Sequence, residues 1–463
     1  MDKHLFSKIP AVNVLLQSEQ GKALIADFSH AVVVAAIREV TDRFRAGAFN
    51  IADESELHPT LIAEAKRFLQ AKFTPSLKRC INATGTVIHT NLGRAKLSRT
   101  ITAELLDAAF ENTNLEYDVA SGRRGSRYQH LEKTLCELTG AEAALVVNNN
   151  AAAVMLVLDT MAKTRDVIVS RGELVEIGGS FRIPEIIALS GCHLKEVGTT
   201  NKTHIHDYVQ AMDEAQTAAI LKVHTSNYKI SGFTKSVEIE ALATISKENN
   251  VPLIHDMGSG MLIDLQKYGL PYEMTVQESL KAGADVITFS GDKVLGGPQA
   301  GVIVGKKRYI DAMKKNQLTR ALRVDKLTIA TLEATLRLYY DETQALAKIP
   351  TLDMLCADLT MLAEKATALM LEISQREISG VDLEMLEVHS QVGGGAYPGE
   401  ILASQAVGIY TTQMSASELA EKLRQANVPI ICKIRNERCE FDVRTIERDE
   451  FSVIADILCG ILA

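Results

Sequence analysis

Between residues 143 and 304 the chain alternates short, β-branched apolar runs with longer amphipathic stretches, and few folds accept that rhythm. The runs are 143–147, 166–170, 194–197, 218–223, 251–254, 286–289 and 301–304. Each is shorter than an ordinary helix, and most of the intervals are long enough to cross back over a sheet. The pattern predicts an α/β fold with a mostly parallel sheet covered by helices. The flanking regions have other textures. In residues 1–75, Val33, Ile37, Val40 and Phe44 recur at helical spacing, Pro59 fits a helix start, and Leu61, Ile62, Ala65, Phe68 and Leu69 form a second stripe. Beyond about residue 340 come long amphipathic helices, the Gly393-Gly394-Gly395 loop, a helix near Ser415, and runs 430–434 and 440–444. Those last two flank the polar Arg435–Arg438 and predict a hairpin in a smaller α+β domain. The expected division is a helical unit 1–75, a large α/β domain 76–340 and a small domain 341–463. A chain of 463 residues exceeds what one core usually serves.

The chemistry concentrates at the ends of those runs. Lys293 follows the run 286–289 within Ser290-Gly291-Asp292-Lys293-Val294-Leu295-Gly296-Gly297-Pro298, and Asp256 ends the run that begins at Val251. A lysine and an aspartate so placed suit pyridoxal phosphate (PLP). The lysine condenses with the aldehyde, and the carboxylate keeps the pyridine nitrogen protonated so that the ring accepts electrons. After the run 143–147, Asn148-Asn149-Asn150-Ala151-Ala152-Ala153 opens a helix with small residues. Uncovered N–H groups at Asn149, Asn150 and Ala151 would hold a phosphate there. Ser290, three before Lys293, can add a hydroxyl. Taken singly, each residue has a plainer account: Asn149 as an N-cap, Asp256 as a turn cap, Lys293 as a surface lysine. The ordered combination favours PLP, because Lys293 has no evident packing role and its glycines admit close approach.

A second group is cationic. Arg94 ends Asn91-Leu92-Gly93-Arg94, and Arg320 and Arg323 are three apart, hence on one face if that segment is helical. Guanidinium forks suit a tetrahedral oxyanion, and the rival account is a surface salt-bridge helix. Arg123-Arg124-Gly125-Ser126-Arg127 is a basic loop that could face RNA, a neighbouring subunit or water. His204 and His206 have no nearby third ligand, so no metal site is expected. Gly393–Gly399 lacks the strand-before, helix-after context of a dinucleotide fingerprint.

Composition narrows the field. With 46% hydrophobic and 23% charged residues the chain reads as a soluble globular protein. A net charge of −8 argues against indiscriminate nucleic-acid binding, so an RNA partner would need a local basic patch. Lys66, Arg67, Lys72, Lys78 and Arg79 gather in one stretch, which reads equally as such a patch or as a solvated helix face. Seven scattered cysteines without a Cys-x-x-Cys pair suit reduced thiols. Met1–Phe6 carries no basic-then-apolar signal pattern and no run approaches a membrane span, so a cytoplasmic location is expected.

These motifs resemble, along nearly the whole chain, the bacterial selenocysteine synthase family, the L-seryl-tRNA(Sec) selenium transferases. The matching stretches are Gly85–Ala95, Val147–Val154, Ser170–Gly179, Lys222–Tyr228, Phe289–Lys293 with its Gly-Gly-Pro-Gln tail, and Arg320–Arg323. The C-terminal part matches less well, apart from Ser390–Gly395, and Met257 stands where the family commonly has Leu. The resemblance implies a fold type I PLP-dependent transferase, built as a ring of dimers, a decamer. It implies conversion of seryl-tRNA(Sec) to selenocysteinyl-tRNA(Sec) through an aminoacrylyl intermediate, with selenophosphate as donor. It assigns Lys293 to the cofactor aldehyde, Asp256 to the pyridine nitrogen, and Arg94, Arg320 and Arg323 to the phosphate of selenophosphate. Asp292 matches a residue implicated in catalysis. A protonated Asp292, or Lys293 itself, is the expected proton donor to the leaving oxygen. The helical unit resembles a tRNA-binding extension that shortened relatives lack. That extension weighs against an ammonia lyase acting on a small amino-sugar acid, and the intact Lys293, Asp256 and Asn149-Asn150 group weighs against a non-catalytic RNA-binding scaffold.

Overall fold

The computed structural model describes residues 5–51, 53–178 and 181–462. Gly179, the last residue of the Ser170–Gly179 motif, lies outside the described residues. The chain divides into two compact units, Met1–Arg79 and Cys80–Ala463.

The first unit is helical: α1 (Val12–Gln17), α2 (Glu19–Phe28), α3 (His30–Arg45) and α4 (Leu57–Phe73). Val33, Ile37, Val40 and Phe44 of α3 are all buried, facing Leu57, Leu61, Ala65 and Leu69 of α4 in a core of their own. Each fully buried leucine of this kind contributes roughly 1.5–3 kcal/mol. Pro59 is the third residue of α4, where the N–H it lacks is one that the first turn leaves unpaired anyway. Ser18 caps α2 by accepting from Gly21 N–H at 3.0 Å. Gly21 has no substitute there, since a Cβ would stand 2.1 Å from the carbonyl oxygen of Leu15.

The second unit holds two sheets. The strands, in chain order, are β1 (Ile81–Ala83), β2 (Thr86–Ile88), β3 (Ala143–Val147), β4 (Asp166–Ser170), β5 (His193–Val197), β6 (Thr217–Val223) and β7 (Leu253–Gly258). There follow β8 (Val286–Ser290), β9 (Gly301–Gly305), β10 (Val381–Gly393), β11 (Ile401–Thr411), β12 (Ile430–Arg435) and β13 (Arg438–Asp442). All seven expected runs enter one seven-stranded sheet, in the order β3-β9-β8-β7-β6-β4-β5. Its pairs are parallel except those made by β9, which runs against both β8 and β3. The link from β8 to β9 is too short for a helical crossover, so the chain must return antiparallel.

The smaller sheet, β1-β12-β13-β11-β10-β2, departs from expectation in two ways. Residues 81–88, assigned by position to the large domain, supply its two edges: β1 pairs parallel with β12 and β2 parallel with β10. The stretch before the glycine loop is a long strand, β10, where a helix was expected. β10 and β11 pair antiparallel from Val381↔Thr411 to Gln391↔Ile401. The expected hairpin is present as β12–β13, closed by Asn436 and Glu437, both left-handed at φ 47° and 56°. Two left-handed residues in succession give the turn that matches strand twist. Helices Leu359–Ser374, Ala416–Gln425 and Phe451–Leu462 bury Leu369, Leu423 and Leu458 against Phe441 of this sheet. No described helix is long and apolar enough to cross a membrane.

Because each unit encloses its own core, fragments 1–79 and 80–463 are expected to fold separately. Circular dichroism melts should show a cooperative transition for each. A non-cooperative melt of either fragment would contradict the division.

Candidate active site

Ligands of open α/β sheets bind beyond the carboxyl ends of the parallel strands. Here β6, β7 and β8 end at Val223, Gly258 and Ser290, and His224, Gly258 and Ser290 line a cavity of about 250 Å³. Lys293, Asp256, Asn150, Ser290, Asp292 and Arg94 all line it, as do Asn149 and Ala151.

Asp256 is 4% exposed, and its Oδ1 accepts from Asn150 Nδ2 at 2.7 Å and from Thr288 Oγ1 at 3.0 Å. Among the described residues Oδ2 has no hydrogen bond, which leaves it for a donor in the cavity. Burial raises the Asp256 pKa, against the opposing pull of Asn150, Thr288 and the Lys293 charge. Lys293 is 6% exposed, and burial lowers its pKa, with Asp256 pulling the other way. A buried amine so shifted is more readily neutral, hence nucleophilic. The turn that carries it is set by glycines: Gly297 N–H donates to Gly291 O at 2.8 Å, and a Cβ at Gly291 would lie 2.5 Å from Pro298 O.

The phosphate-type site is the N-terminus of α5 (Asn150–Met161), an element of 12 residues. Asn149 is its N-cap, accepting from Ala152 N–H at 2.9 Å. The N–H groups of Asn150 and Ala151 have no partner within the helix. The side chain of Asn150 serves a different end from its backbone, since it holds Asp256. Gly301 makes this seat fit, because a Cβ there would be 2.0 Å from the carbonyl oxygen of Asn149. Arg94, left-handed at φ 60° after Gly93 at 91°, donates through Nη1 to Asp292 Oδ2 at 2.9 Å. That charge-assisted hydrogen bond engages one oxygen of Asp292.

Arg320 and Arg323 are not brought together on one helix face. Helix α6 (Leu318–Leu322) ends before Arg323, which is extended at φ −65°, ψ 143° and bridges the backbone of Val147. Its guanidinium lies 3.7 Å from Glu116, where Arg124 and Arg127 also converge, while Arg320 is exposed. Neither lines the cavity of a single chain. Sequence reasoning passed over His224, Ser226, Gly258 and Gln299, which do line it. The Lys222–Tyr228 motif was the available signal for the first two. Among the described residues no cluster of histidine, cysteine and acidic side chains could hold a metal.

These residues fit PLP on their own geometry. Ser226 Oγ and Asn150 Oδ1 are buried polar atoms without a partner, Oδ2 of Asp256 is free for a ring N–H, and a helix N-terminus awaits an anion. The fold is that of the fold type I PLP-dependent transferases. The solved structure of D-glucosaminate-6-phosphate ammonia-lyase shares it, at 20% identity and a TM-score of 0.57, over 85% of this chain and 98% of that one. A family model described as L-seryl-tRNA selenium transferase matches residues 80–447, and one described as selenocysteine synthase N terminal matches residues 6–45. The L-seryl-tRNA(Sec) selenium transferase of Alkaliphilus oremlandii is 49% identical over 459 residues, 97% of each chain. That of Geobacter sulfurreducens is 47% identical over 456 residues, 98% of each. The chain belongs to the L-seryl-tRNA selenium transferase family.

Gly395 offers a direct test of the geometry around Lys293. It is left-handed at φ 96°, and a Cβ there would stand 2.3 Å from Lys293 Nζ and 2.4 Å from its Cε. Overpacking of this kind costs about 1–3 kcal/mol. Gly395→Ala should therefore weaken PLP uptake by ~10-fold or more, read by titrating visible absorbance. Unchanged uptake would mean that the glycine loop does not set the lysine's position.

Proposed function

We propose that this protein converts L-seryl-tRNA(Sec) to L-selenocysteinyl-tRNA(Sec), with PLP held at Lys293 and selenophosphate as the selenium donor. The observation that carries the reading is the pairing of buried Lys293 with Asp256 in one cavity, in a chain of this family. PLP, when bound, supplies an electron sink that acidifies the Cα–H of a bound seryl group.

The chain's own groups do the rest. The N–H groups of Asn150 and Ala151 hold the phosphate, with the Ser290 hydroxyl beside them. Asp256, with Oδ1 held by Asn150 and Thr288, would hold the pyridine ring through Oδ2, and a cationic partner there would offset the desolvation of the carboxylate. The Lys293 amine, buried in the same cavity, would be the base for the Cα proton. Arg94 is oriented by Asp292 and binds the phosphate of selenophosphate. Arg320 and Arg323 lie outside this cavity, so the single-chain geometry gives them no part in it.

The helical unit is the proposed tRNA contact. Lys66, Arg67 and Lys72 are exposed on α4, a local positive patch on a chain of net negative charge. A homo-oligomer of dimers, a decamer, and a cytoplasmic location complete the proposal. Exposed Phe110, Val119 and Leu106 offer apolar surface for such contacts.

Turnover of seryl-tRNA(Sec) with selenophosphate should yield selenocysteinyl-tRNA, and ordinary seryl-tRNA should yield none. Equal turnover of both would contradict the reading. Removing residues 1–79 should abolish tRNA(Sec) retention in a filter-binding assay while leaving the visible PLP absorbance. Undiminished retention would remove the proposed role of the helical unit.

A further inference from the structure

His224 and Glu273 form a pair at the cavity wall that neither cofactor attachment nor anion binding employs. His224 is the first residue past β6, and its N–H donates to Asp256 O at 2.9 Å, so its ring starts beside the buried aspartate. Nε2 lies 3.3 Å from Glu273 Oε1, and both atoms are buried without an aligned hydrogen bond to any other group. The second oxygen of Glu273 accepts from Tyr397 N–H at 3.1 Å. Burial would raise the Glu273 pKa, but hydrogen bonding and charge from His224, with the Tyr397 N–H, outweigh it and hold the carboxyl low. The other ring nitrogen, Nδ1, has no partner among the described residues.

The position of the ring completes the picture. His224 lines both the 250 Å³ cavity and a neighbouring one of about 420 Å³. It therefore stands between the reacting centre and a second, larger space. The charged groups around it are Glu273, Asp256, Lys293 and the buried pair Lys222–Glu173 at 2.5 Å. His255 is also near. Burial first, then the His224 and Lys222 charges, hold it neutral, and its Nδ1 meets Ser279 Oγ at 2.7 Å.

We propose that His224, oriented by Glu273, is the general acid that lets the seryl β-oxygen leave as water. This rests on the seryl-tRNA reading above and takes the role expected for Asp292, whose carboxylate is engaged by Arg94. The balance is simple. The Cα proton goes to the Lys293 amine, and the Cβ–O bond breaks with its electron pair on oxygen. The oxygen takes the imidazolium proton and departs as water, and the neutral imidazole regains a proton from solvent through the larger cavity. Glu273 is a positioning residue: the contact of its Oε1 with Nε2 fixes the ring and turns Nδ1 away from the carboxylate.

The test uses tRNA(Sec) charged either with serine or with β-chloroalanine, whose chloride leaves without a proton. His224→Gln should take up PLP with wild-type affinity, eliminate from the seryl substrate about 100-fold more slowly, and keep its rate on the chloro substrate. Glu273→Gln should slow the seryl substrate alone, by a smaller factor. An unaffected seryl rate, an equal fall with both substrates, or lost PLP affinity in His224→Gln would each overturn the assignment. Wild-type turnover of both substrates, measured alongside, separates such a failure from a failure of the seryl-tRNA reading.

Discussion

A carboxylate enclosed by protein must find partners, and Asp256 finds them in a way that assembles the site around it. Desolvating an ion costs several kcal/mol, more than any single hydrogen bond returns. Asn150 and Thr288 share Oδ1, and the charge of Lys293 lies close enough to favour ionisation. Thr288 comes from the strand beside β7, and Asn150 from a helix that lies over β8 and β9. Two separate chain segments thus converge on one oxygen of a third. The remaining oxygen is left for a cofactor.

Space, as much as charge, defines the rest. Gly301 lets the Asn149–Asn150 peptide sit against β9, and Gly395 lets Lys293 pass beneath the loop of the smaller sheet. Gly258, beside Lys293 Nζ and Ser226 Oγ, is left-handed at φ 70°, so there it is the backbone and not the space that favours glycine. At Gly301 and Gly395 a methyl group would collide with backbone or with the lysine itself. That requirement ties the two sheets together, because the loop over Lys293 belongs to β10 while the lysine belongs to the end of β8.

The large sheet was legible because most of its strands are buried on both faces and so read as unbroken apolar runs. Lys293, Asp256 and Asn149–Ala151 were legible for a related reason: they sit directly at the ends of those runs. The strand β10 was not, since Val381-Asp382-Leu383-Glu384-Met385-Leu386-Glu387 is rich in helix formers and only its alternating exposure marks a strand. Residues 81–88 gave no hint of their sheet, because pairing partners hundreds of residues away decide it. Arg323 was misjudged by spacing alone: α6 ends one residue too soon. Glu273 belongs to no strand or motif and becomes visible only beside His224.

The central claim is that Lys293 carries the cofactor, with Asp256 at its ring nitrogen. Reduction of the PLP-loaded protein with borohydride, followed by proteolysis and mass spectrometry, tests it most directly. The account predicts one phosphopyridoxyl-modified peptide, with the label on Lys293. A label on any other lysine, or none at all, would contradict it.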